Sequence, residues 1–240
     1  MGYNLGMENK VFQIAIDGPV GVGSSTTAKL LAEKLGFIFI DTGAMYRAAT
    51  YLSITKLGSV EDESKLVELL KKSGIEVIQP EGDKKDGRLI TILLDGEDIS
   101  WKIRTEEISR NVPVVAAMPE VRKVLVGIQQ NIAKNHNVVM EGRDITHRVL
   151  PNADLKIYLT ADEKERAQRK YKQLLIKSEV VTLDQVLVDL KKRDETDMNR
   201  STDPLKIVEG VWVLDTTRLN IDEVVEMIIN RFELIRGAKE

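Results

Sequence analysis

Short apolar runs that stop at an acid alternate with longer stretches of helical spacing. Residues 11–17 (VFQIAID) and 37–40 (FIFI, closed by Asp41) read as buried strands. Between them Ser24–Leu35 puts Ala28, Leu31, Ala32 and Leu35 on one helical face, and Gly36 is a natural stop. Thr42–Leu57 is a second helix. Strand, glycine loop, helix, strand is the opening of a parallel α/β sheet. The pattern then changes. Residues 61–73 read as a charged amphipathic helix, and 75–79 and 89–94 as two strands joined by PEGDKKDGR, whose KKDGR run reads as a solvated hairpin tip. This is a small α+β insert. Residues 96–109 are polar and read as short helical turns.

The parallel pattern resumes with a helix over 118–135, aligning Val121, Leu125, Ile128 and Ile132. Strands are predicted at 138–140, running into Glu141-Gly142-Arg143-Asp144, at 155–159 and at 211–214. Charged helices are predicted at 162–177 and 183–192, and a last helix at 221–235.

Composition narrows the chemistry. In 240 residues there are 35 Lys and Arg against 38 Asp and Glu, a net charge of −3, which argues against a protein that coats nucleic acid. The absence of Cys removes disulfides and thiol nucleophiles, and two isolated residues, His136 and His147, do not make a zinc site. Trp101 and Trp212 read as packing residues. No apolar run approaches the roughly 18 residues that cross a bilayer. MGYNLGMENK lacks the charged-then-apolar order of a secretory signal. A soluble, cytoplasmic monomer is the expectation, with Met7 a candidate start.

The chemistry gathers first at Gly18-Pro19-Val20-Gly21-Val22-Gly23-Ser24-Ser25-Thr26, which nearly matches the phosphate loop G-x-x-x-x-G-K-[ST]. Glycines let backbone N–H groups converge on an anion, and the following helix adds its positive end. Ser25 sits where a hydroxyl would hold Mg²⁺. Ser24, however, stands in place of the lysine. A glycine turn before an ordinary helix is the plainer reading of the same residues. Arginines supply the second signal: Arg47 just after the second strand, Arg122, Arg143 beside Asp144, Arg166 and Arg169 in a charged helix, and Arg193, Asp197 and Arg200 in RDETDMNR. So many guanidinium groups in an acidic chain point to a concentrated anion site.

In order along the chain stand IAIDGP with its glycine loop, DTGAMYR, LDGEDI followed by IR, EGRDI, LPNADLKIYLTA, ERAQRK, KKRDETDMNRSTDPL and LDTTRLNIDEVV. This ordered set resembles the bacterial cytidylate kinase (CMP kinase) family of P-loop nucleoside monophosphate kinases, from about residue 11 to residue 229. The resemblance implies a three-layer P-loop NTPase fold with a parallel central sheet. Its core would be residues 8–58 and 106–240, with a helical lid at about 162–180 and a monophosphate-binding insert at 59–105. It implies transfer of the ATP γ-phosphoryl group to CMP or dCMP, with Mg²⁺. Arg47, Arg143 and Arg200 would hold the acceptor phosphate, Arg193 and Asp197 its sugar, and Arg122 and Asp144 the cytosine edge, with Thr42 and Tyr46 lining the pocket. Arg166, Arg169 and Lys170 would belong to the lid over ATP, with Arg143, Arg169, Arg193 and Arg200 the charges that serve transfer.

Three departures stand out. Ser24 removes a charge aimed at the transition state, which Lys29, Arg169 or Lys170 could replace. Pro113 stands nine residues before Arg122 where the family has a Ser, so one cytosine contact is lost. Glu141 replaces the family's Asp with a longer acid. The first departure motivates a non-catalytic nucleotide-binding alternative, the second a kinase for another nucleoside monophosphate.

Overall fold

The computed structural model describes residues 11–176 and 180–238. Five parallel strands form the central sheet: β1 (Gln13–Asp17), β2 (Ile38–Asp41), β6 (Val138–Gly142), β7 (Leu155–Thr160) and β8 (Trp212–Asp215), in the order β2-β6-β1-β7-β8. Ile14, Ala15, Ile16, Phe39, Ile40, Val138, Val139, Met140, Ile157 and Leu159 are wholly buried. Burial of successive residues means both faces are covered, as a parallel sheet requires.

α1 (Ser24–Leu35) and α8 (Ile221–Gly237) pack together against the sheet. Phe232 of α8 seals this side, meeting Phe12 and Phe37 edge-on at 5.5 and 5.6 Å. α2 (Thr42–Leu57), α3 (Glu63–Lys72), α4 (Glu106–Ala117) and α5 (Pro119–Lys134) pack on one another. An antiparallel sheet of β3 (Ile75–Ile78), β4 (Thr91–Leu94) and β5 (Glu97–Asp98) forms the insert. α6 (Glu163–Ile176) and α7 (Leu183–Asn199) form a helical pair before β8.

Several expectations are corrected. The polar stretch 96–109 holds β5, a single turn at Lys102–Arg104 and the start of α4, a twelve-residue helix that runs on to Ala117 with Pro113 in its interior. α7 runs on to Asn199, seven residues past its expected end. Arg88 is not part of a solvated tip: it is buried, pairs with Asp86 at 2.7 Å and Asp98 at 2.5 Å, and lies 5.9 Å from the Trp101 ring. Trp101, expected to pack, does so against Arg88 while staying half exposed. Residue 177 of the expected charged helix, the 177–179 part of the expected lid, and Met7 lie outside the described residues.

Candidate active site

The glycine loop, Thr42 and the Arg143–Asp144 pair directly follow the carboxyl ends of β1, β2 and β6, where open α/β sheets bind ligands. The phosphate loop leaves β1 at Asp17. Gly21 and Gly23 have φ of 78° and 96°, left-handed values that a side chain would strain. Gly23 caps α1 without a side-chain hydrogen bond, so the helix presents free N–H groups at its positive end. Asp17 anchors the base of the loop. It accepts hydrogen bonds from Ile145 N (2.8 Å), Thr146 N (2.8 Å) and Thr146 Oγ1 (2.6 Å) in a single π-helical turn at Ile145–Val149.

Arg166, which the family resemblance places in the lid over ATP, braces the loop. It is buried and donates to Val20 O (2.9 Å), Ala161 O (3.2 Å) and Asp194 Oδ2 (2.6 Å). Asp194 completes the brace by accepting from Val20 N at 3.1 Å. Arg169 borders a cleft of about 340 Å³ lined by Gly21, Val22, Gly23, Thr26, Thr27 and Asn220. Its guanidinium is held by Glu165 at 3.0 Å and by Thr216 O at 2.6 Å. Lys29, another candidate replacement cation, pairs with Glu33 at 3.6 Å.

Ser24 and Ser25 both donate to one carboxylate. Ser24 Oγ reaches Glu141 Oε2 and Ser25 Oγ reaches Oε1, each at 2.8 Å. Thr42 Oγ1 donates to Glu141 O at 2.8 Å and presses on Gly142, leaving no room for a Cβ there. Burial, then the nearby Asp41 carboxylate, push the Glu141 carboxyl well up, against the pull of Arg143. Burial likewise raises Asp17 to about 6.

These two raised acids fix a sign. From about pH 4 to 6 the folded chain keeps protons that the unfolded chain has released, so this part of folding stability falls as pH rises. Asp98 and Asp197, held below the usual range, act oppositely at more acid pH, and His147, held down by burial, opposes the two acids just below pH 6.5, one group against two. The expected result is a urea midpoint that declines between pH 4.5 and 7, and declines less in Glu141→Gln. An identical slope in both proteins would contradict the assignment.

The residues expected on the acceptor side are joined by ion pairs. Arg122 is 1% exposed, pairs with Asp144, and donates to Asp203 Oδ2 (3.0 Å) and Ala116 O (2.9 Å), with its guanidinium 5.3 Å from the Tyr46 ring. Arg200 donates to Asp203 O at 2.8 Å and lies 3.7 Å from Asp144. Arg143 and Arg193 share Asp197 Oδ2, at 2.9 and 3.3 Å. Arg47 donates to Ser109 Oγ at 2.8 Å, and burial, then Arg104 and Arg193, lower its affinity for its proton. Arg104 Nε is buried with no partner. Arg47, Arg104 and Arg193 thus crowd together near Asp41, an arrangement that suits an anion.

A cytidylate kinase family model matches residues 14–234. The chain belongs to the cytidylate kinase family. The cytidylate kinase of Caldanaerobacter subterraneus subsp. tengcongensis is 48% identical over 96% of this chain and 97% of its own length. That of Bacillus subtilis (strain 168) is 43% identical over 95% and 98%. A gluconokinase from Sinorhizobium meliloti 1021 shares the fold, with TM-score 0.50 at 13% identity over 95% of each chain. Membership makes the chain an ATP-dependent phosphotransferase on a P-loop α/β fold.

For this cytidylate kinase family member, sequence reasoning missed Asp17, Arg104, Ser109, Asp194 and Asp203. Asp194 and Asp197 sit three apart beside Arg193, a helical spacing that signals one shared face once α7 is extended. Asp203 has φ 47°, a left-handed turn residue, and a lone acid in a loop carries no such signal. Pro113 has no N–H for Ser109 O, and α4 meets Arg122 through a backbone carbonyl, Ala116 O. Among the described residues no helix is long and apolar enough to cross a membrane.

Proposed function

We propose that the chain transfers the γ-phosphoryl group of ATP to CMP or dCMP. The observation that carries this reading is the joined set Arg122–Asp144–Arg200 and Arg143–Asp197–Arg193 facing the phosphate loop from β6, α5 and α7. Cytosine offers an N4 donor for a carboxylate beside O2 and N3 acceptors for a guanidinium, which Asp144 and Arg122 supply. Arg47, Arg104, Arg143 and Arg200 take the acceptor phosphate, and Arg193 with Asp197 its sugar. The cleft between Arg169 and Asn220 takes the donor nucleoside.

The attacking oxygen belongs to the acceptor phosphate and is already anionic at neutral pH, so no general base is needed. Catalysis is alignment and charge neutralisation by arginines and loop N–H groups. The Ser25 hydroxyl is a hard oxygen donor at the loop, which suits Mg²⁺, a cation that takes few protein ligands and completes its shell with phosphates and water. When bound, Mg²⁺ neutralises phosphate charge. Ser25 would hold it, while Glu141, Arg166 and Asp194 keep the loop in shape.

An ADP-release assay with CMP, dCMP, UMP and AMP tests the reading. Turnover is expected with CMP and dCMP at a kcat/KM at least tenfold above AMP. ATP binding without turnover on any acceptor would leave the non-catalytic alternative. Preference for UMP or AMP would favour a different acceptor, the reading that Pro113 motivates.

A further inference from the structure

Two consecutive hydroxyls of the phosphate loop are served by one acid 116 and 117 residues away. Ser24, at the lysine position of the loop, is 8% exposed, and Glu141 is 4% exposed. The carboxylate spends one oxygen on each serine, at equal distances of 2.8 Å.

Length is decisive here. Glu141 is paired on both sides, to Ile16 and to Asp41 in the strand registers, and the next residue, Gly142, is jammed against Thr42. The backbone therefore has no freedom to bring a shorter acid forward. Removing one methylene retracts the carboxylate by about 1.5 Å, which leaves both hydroxyls without their partner. A lysine at 24 meets the opposite fault. Its ammonium would fall on a buried carboxylate and be drawn toward the sheet, away from the donor phosphates, as a desolvated ion pair.

We infer that Ser24 and Glu141 are a matched pair: Glu141 is a positioning residue that clamps the loop's two hydroxyls and aims Ser25 at the donor phosphates, and a lysine at 24 works only with a shorter acid at 141. This rests on the phosphoryl-transfer reading above. Ser24 is then a working part of the loop, and the chain carries out its reaction without an ammonium at that point.

The test is a double-mutant cycle in the full chain: Ser24→Lys, Glu141→Asp and the double variant, read as kcat, KM for ATP, KM for CMP, calorimetric ATP dissociation constant and thermal midpoint. Each single change is expected to lower kcat/KM for ATP tenfold or more, with KM for CMP within twofold of the unaltered chain. The double variant is expected to recover to at least the level of the unaltered chain, a coupling of 100-fold or more. General damage would move both KM values together, which counts against positioning. Multiplicative effects, or a gain in kcat from Ser24→Lys alone, overturn the pair. If the unaltered chain turns over no acceptor, the functional reading fails, and the four ATP dissociation constants still decide the pairing by the same criterion. Should the lysine variant not fold, Ser24→Ala and Glu141→Gln form a milder cycle. There a double variant no weaker than the worse single supports the pair, and multiplicative losses overturn it.

Discussion

Arg122→Ala is expected to abolish useful recognition of the acceptor, raising KM for CMP at least 100-fold while the ATP dissociation constant stays within twofold. Three acceptors meet this one guanidinium: Asp144, Asp203 Oδ2 and Ala116 O. Truncation removes the group proposed to face cytosine and leaves the buried Asp144 carboxylate with Arg200, 3.7 Å away, in place of its closer partner. Breaking a buried pair from one side costs about 3–5 kcal/mol, so a lower thermal midpoint is expected as well. Lysine should not rescue, because one ammonium does not serve three acceptors spread around a planar fork. The lost stability is the reason to measure the two ligands separately: a chain that had merely loosened would lose ATP affinity too. Equal losses for CMP and ATP would therefore contradict the base-reading role.

Arg166→Ala carries the second large effect, on the opposite ligand. Here kcat/KM for ATP is expected to fall about 100-fold or more, as misplacement of reacting groups by about 1 Å does. Arg166 holds Val20 O while its partner Asp194 holds Val20 N, so the tip of the loop is gripped through both backbone groups of one residue. Gly21 adds a constraint, since a Cβ there would meet Arg166 O at 2.9 Å. Asp194→Asn keeps one acceptor oxygen and should cost less. The CMP dissociation constant should hold steady in both. A variant that lost CMP affinity but kept ATP turnover would place Arg166 on the wrong side of the reaction.

The contrast between these residues shows what the chain order disclosed. The phosphate loop is legible because its glycines answer a backbone demand: the left-handed φ at Gly21 and Gly23 is local and residue-specific. The arginines are legible as charges but not as contacts. Arg122 and Arg166 read alike in sequence, yet one meets Asp144 and Asp203 and the other Asp194 and the loop, because only tertiary packing decides which acid each meets. α7 was cut short for a related reason. Its buried stripe is Val186, Leu190, Asp194 and Asp197, so the inward face changes from apolar to acidic midway and the hydrophobic rhythm stops at the site itself. α4 was concealed by Pro113, which reads as a helix breaker and here costs one backbone hydrogen bond inside a helix packed against α2. Arg88 escapes the solvated-tip pattern for the converse reason. Trp101 caps a guanidinium already committed to Asp86 and Asp98, so the cation goes inside and the ring stays partly in water.

The serine pair belongs to neither class. Ser24 looks like a deficit in the loop and Glu141 like a minor lengthening of a strand-end acid. Only their contact reveals that the two are one arrangement.

Phosphorus NMR of the unaltered chain with ATP, Mg²⁺ and CMP tests the central claim most directly. CDP resonances should grow one for one with those of ADP, at a rate proportional to the amount of chain added. ADP accumulating with inorganic phosphate and no CDP, or an unchanged spectrum, would contradict it.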